Sequence, residues 1–84
     1  MSMYYSLPTD ISNNGRRLTI ICGNPNFASG DAGRADFGIG NEYSIFENGK
    51  KLTELSLSNE CVELIGLGTD TTFIGWLVLN RSDY

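Results

Sequence analysis

Phe73-Ile74-Gly75-Trp76-Leu77-Val78-Leu79 contains no polar side chain. A strand with one wet face alternates apolar and polar residues, and this one does not. The run predicts a strand covered on both faces, by a core on one side and by a second layer or a partner chain on the other. It reads as the last and most apolar element of the chain, spanning Thr71–Asn80. Cys61–Leu67 precedes it as another strand, and Gly68-Thr69-Asp70 joins the two into a hairpin.

Upstream, Tyr43–Glu47 and Lys50–Leu57 flank Asn48-Gly49. That pair is favoured in two-residue type I′ hairpin turns. The turn sets Glu47 opposite Lys50, Phe46 opposite Lys51 and Ile45 opposite Leu52. Leu55 and Leu57 then fall on the wrong face, a mismatch that a bulge would absorb. Ser58-Asn59-Glu60 reads as a turn. Arg17–Cys22 is a strand with Leu18, Ile20 and Cys22 on one face and Thr19 and Ile21 on the other. Met3–Leu7 is a short strand or arm stopped by Pro8, and Asn13-Asn14-Gly15 marks a turn. Arg81–Tyr84 reads as a polar tail.

Gly23–Asn41 has no clear period and holds five of the ten glycines. Loops of this length are uncommon in compact domains and tend to be functional. The one helix the segment allows lies within Ser29–Phe37, with Ser29 as cap and Asp31 near its N-terminus. Gly30 and Gly33 weaken it. The pattern therefore predicts a single domain, residues 1–84. It is all-β, or β-dominated with one short helix, as a small barrel or sandwich of about six antiparallel strands.

Composition narrows the picture. An 84-residue chain buries only about 60–65% of its unfolded surface, so its own core stabilises it modestly. Ten acidic residues against six basic ones give a formal charge of −4. That balance disfavours nucleic acid and anionic membranes as partners. Met1-Ser2-Met3-Tyr4-Tyr5 has neither the basic nor the apolar region of a secretion signal, which points to the cytoplasm. Cys22 and Cys61 each lie in an apolar strand and are expected to be reduced, buried thiols. The alternative is one disulfide between two strands.

Little catalytic chemistry is on offer. The chain has no histidine, which removes the commonest general base and most zinc sites. Gly49-Lys50-Lys51 lacks the rest of a phosphate-binding loop, and Gly38-Ile39-Gly40 and Gly66-Leu67-Gly68 lack a third glycine. No catalytic residue, cofactor or metal is expected. Asp31, Asp36 and Glu42, with Arg34 among them, are the only carboxylate group that a small hydrolytic or ligand-binding domain would use. They read more simply as solvated loop charges.

These exclusions leave a non-enzymatic protein that binds another protein. Small acidic cytoplasmic proteins of this type include inhibitors made by phages and mobile elements, some directed against host defence. The expected target is a host protein with a basic, nucleic-acid-binding surface. The expected contact residues are Glu47, Glu54, Glu60, Glu63 and Asp70 on the hairpins, Asp31 and Asp36 in the loop, and Trp76. A structural subunit that assembles as a homodimer or larger oligomer through residues 73–79 is the rival reading.

Overall fold

The computed structural model describes residues 2–23 and 34–83. The fold is all-β, built from two mixed sheets. Strands β1 (Ser2–Ser6), β3 (Arg34–Gly38) and β6 (Glu54–Ser58) form a three-stranded sheet in the order β1-β3-β6. Strands β2 (Arg17–Cys22), β7 (Glu60–Gly68), β8 (Phe73–Asp83), β4 (Ser44–Glu47) and β5 (Lys50–Leu52) form a five-stranded sheet in the order β2-β7-β8-β4-β5. A single 3-10 turn, Ile11–Asn13, links β1 to β2. Asp10 caps it by accepting from the Ser12 N–H at 3.0 Å.

Alternation places the core between the sheets. Leu55 and Leu57 of β6 and Ala35 of β3 face Val62 and Leu64 of β7, Ile45 of β4 and Trp76 of β8 in one buried cluster. Burying each large side chain here contributes roughly 1.5–3 kcal/mol. The Trp76 ring lies edge-on to Phe73 at 5.7 Å, and its Nε1 donates to the Pro8 carbonyl at 2.9 Å. The tryptophan is thus a core anchor that also ties down the segment after β1.

The local units match the pattern. The β4–β5 hairpin turns at Asn48 and Gly49, both with positive φ, and its pairs are Glu47↔Lys50, Phe46↔Lys51 and Ile45↔Leu52. Strand β2 has the expected bounds and faces. Strands β7 and β8 form the second hairpin.

Six expectations are corrected. The described residues hold eight strands rather than about six, and two pairings, β1 with β3 and β4 with β8, are parallel. Parallel neighbours need long connections and leave no turn signal in the sequence. At Gly75↔Ser44 the two chains come so close that a Cβ on Gly75 would strike the Ser44 carbonyl.

Lys50–Leu57 is not one bulged strand. It breaks at Thr53, and its halves belong to different sheets. The phase mismatch of Leu52 against Leu55 and Leu57 is a change of sheet, with Leu55 and Leu57 each 1% exposed.

The glycine-rich segment is not structureless throughout, and its C-terminal part is not helical. Arg34–Gly38 is the central strand of the smaller sheet, with Ala35 facing the core. Ser29–Gly33, and with them the expected cap and Asp31, lie outside the described residues.

Strand β8 is not covered on both faces along its length. It has eleven residues against nine in β7, and the register slips at two points. Ile74 and Leu79 are the extra residues, and they are 42% and 43% exposed. The polar tail is also part of this strand, which continues through Arg81 to Asp83.

Candidate protein-binding surface

The outer face of the five-stranded sheet follows from register. Inner-face pairs such as Ile45↔Trp76 and Gly66↔Trp76 fix the opposite parity as outward. One cross-strand row then reads Lys51, Phe46, Leu77, Ile65, Arg17. Its three central side chains are apolar and half-buried, and a cation stands at each end. Leu67 extends the apolar surface along β7, while Cys61 and the 69% exposed Ile21 lie beyond the Glu63–Arg17 ion pair. The smaller sheet packs on the inner face, so among the described residues no strand covers this one. A contiguous apolar row rimmed by polar groups is the pattern of protein-contact sites.

The expected acidic face does not assemble. Glu47 and Glu60 are brought together, but around Arg81. Its Nε donates to Glu60 Oε2 at 2.7 Å and its Nη1 to Glu47 Oε1 at 3.1 Å. The Glu47 and Glu60 side chains are only 18% and 16% exposed. The Arg81 hydrogen bond, assisted by the Ser58 N–H, holds the Glu60 carboxyl below its ordinary range, against the opposing effect of burial. Glu63 pairs with Arg17 at 3.4 Å on the outer face of the large sheet. Asp36 accepts from Ser56 Oγ at 2.6 Å and faces Arg34 at 3.9 Å on the outer side of the small sheet. Glu54, also on the small sheet, and Asp70, in the β7–β8 turn, are exposed. Glu54 and Glu63 therefore point from opposite faces of the molecule. Asp31 lies outside the described residues.

Trp76 is 1% exposed, so it serves the core and offers no surface to a partner. Glu42 sits in an exposed turn between β3 and β4, away from Asp36 on its strand. Among the described residues no three metal-ligating side chains gather, and no helix is long and apolar enough to cross a membrane. The cysteines belong to opposite faces of one sheet. Cys22 is buried on the inner side, where its Sγ donates to the Leu57 carbonyl at 3.6 Å, and Cys61 is on the outer side. Burial pushes the Cys22 thiol up. The two are not joined, which removes the disulfide alternative.

Arg81 is the residue that sequence reading missed. Strict alternation from Trp76 and Val78 would turn Asn80 inward and Arg81 outward. The extra residue at Leu79 sets Arg81 opposite Val62, on the core side. A register slip of this kind has no signature in composition.

No protein-family model, curated protein or solved structure matches this chain.

Proposed function

We propose that this is a non-enzymatic protein that binds another protein through the outer face of its five-stranded sheet. The carrying observation is the apolar row Phe46–Leu77–Ile65, continued by Leu67 and uncovered among the described residues. Such a row is costly to leave in water and fits the apolar centre of an interface, while Lys51 and Arg17 supply its polar rim. An inhibitor of a host protein, of the phage or mobile-element kind, remains the functional class this reading supports. The mode of binding shifts from charge mimicry to apolar contact, because Glu47 and Glu60 are committed to Arg81 and Glu63 to Arg17.

A photo-crosslinking residue at Leu77, with one at Glu54 as control, tests this in cells expressing the protein. The expected result is an adduct with a different protein at position 77 alone. It should disappear in a Phe46→Asp variant whose melting temperature is close to that of the parent. Equal adducts from both positions, or none from position 77, would overturn the reading.

A further inference from the structure

We infer that the free edge of β2 pairs with the same edge of a second copy of this chain, joining two five-stranded sheets into one. This does not rest on the reading above: the hydrogen-bonding edge of β2 is distinct from the row Phe46–Leu77–Ile65, although the Arg17 and Ile21 side chains project from that edge onto the outer face.

An unpaired strand edge is a template for another strand, and proteins usually guard it. Four strands end the two sheets: β1, β6, β2 and β5. Strand β5 is three residues long and carries Lys50 and Lys51. Strand β6 is sealed by side chains. Ile39 N–H bonds the Thr53 carbonyl, which sets the phase, so the backbones of Ser56 and Ser58 face away from β3. Arg81 Nη2 donates to the Ser56 carbonyl at 2.6 Å, and Glu60 Oε1 accepts from the Ser58 N–H at 3.0 Å. In β1 the exposed tyrosines lean toward β3. Tyr5 stacks on Phe37 at 5.3 Å, and the Tyr4 hydroxyl stands over Gly38.

Among the described residues, nothing guards strand β2 in this way. It pairs with β7 over six residues without a register slip. It contains no proline and no acid, and its one charge, Arg17, is at its start. Gly66 N–H bonds the Arg16 carbonyl at 2.8 Å, so Leu18, Ile20 and Cys22 bond toward β7. Arg17, Thr19 and Ile21 thus present N–H and C=O groups to the open side. Ile21 is the most exposed large apolar side chain among the described residues, at 69%.

The sequence of this edge is self-complementary. A two-fold axis at Thr19 sets Thr19 against Thr19 and Arg17 against Ile21 of the other copy. Threonine pairs are favourable across antiparallel strands. The Arg17 stem covers the exposed Ile21 methyl groups while its guanidinium stays in water. The two arginines stand four residues apart along the joint, roughly 14 Å, beyond a Debye length at physiological salt. No like charges are opposed.

Sedimentation velocity over a wide range of concentration tests the inference on the full chain. The parent is expected to dimerise. Ile21→Lys sets a cation against Arg17 of the other copy and should weaken the dimer by more than about tenfold. Adding Arg17→Gln to that variant removes the opposed cation without setting an acid beside Glu63, and should restore much of the loss. Thr19→Pro removes an edge N–H that β7 does not use, and should abolish the dimer while the circular dichroism spectrum stays β-type. A parent that stays monomeric would leave the edge to an extended segment of another protein and overturn the inference. So would a dimer indifferent to both Ile21→Lys and Thr19→Pro, or a double variant as weak as Ile21→Lys alone.

Discussion

Arg81 and Glu60 face each other across the β7–β8 hairpin with Nε and Oε2 2.7 Å apart, and together they stand where a strand beside β6 would be. One supplies a donor to Ser56 and the other an acceptor to Ser58, as a neighbouring backbone would. Glu47 of β4 completes the cluster, so one guanidinium links both sheets at the open end of the core.

Arg81→Ala leaves the Glu47 carboxylate and the Ser56 carbonyl without their Arg81 donors and Glu60 with only the Ser58 N–H. The expected loss is about 1.5–3 kcal/mol, the range for hydrogen bonds to charged groups. Arg81→Lys should recover only part of it, because an ammonium lacks the planar fork that reaches three acceptors. Urea unfolding of the three proteins measures this. Equal midpoints would mean the cluster is ornamental.

The same cluster sets an acid limb. Arg81 and Ser58 lower the Glu60 carboxyl, so folding favours its ionised form. That stabilisation is fully present above the unfolded value of the group. It is lost as pH falls through the lower folded value. Stability should therefore drop in acid, and the gap between parent and Arg81→Ala should close over that window. A gap that is constant with pH would assign the Arg81 effect to packing instead.

Trp76→Ala should cost about 3–5 kcal/mol, the usual range for removing a buried aromatic. The ring is buried against Phe73 and hydrogen-bonded to Pro8. Thermal melting is the measurement, and a change of only a degree or two would place the ring outside the core.

The thiols should react at different rates. Cys22 is buried with its thiol pushed up by desolvation, while Cys61 is half-buried on the uncovered face. Thiolate is the reactive form. Labelling of the native protein should show one fast equivalent that Cys61→Ser abolishes. If that variant keeps the fast phase, the face assignment of the two strands is wrong.

Short-range order was written in the residues themselves. Asn48-Gly49 specified a hairpin and its register because that turn needs two positive φ values, and period-two spacing assigned the faces of β2. The apolar run marked Trp76 as a contact residue, and only its packing on Phe73 and bond to Pro8 assigned it to the core rather than to a partner. Tertiary structure decided the rest. Arg34–Gly38 became a central strand because partners on both sides satisfy its backbone, although Ala35 and the nearby glycines have little strand preference of their own. Lys50–Leu57 split at Thr53 because each half meets a different sheet. The acids read as a binding face were dispersed by these same pairings. Two of them were drawn onto Arg81, which the slip at Leu79 turned inward. Local periodicity carries no information on which distant strand lies alongside or where a register slips, because both depend on packing summed over the whole core.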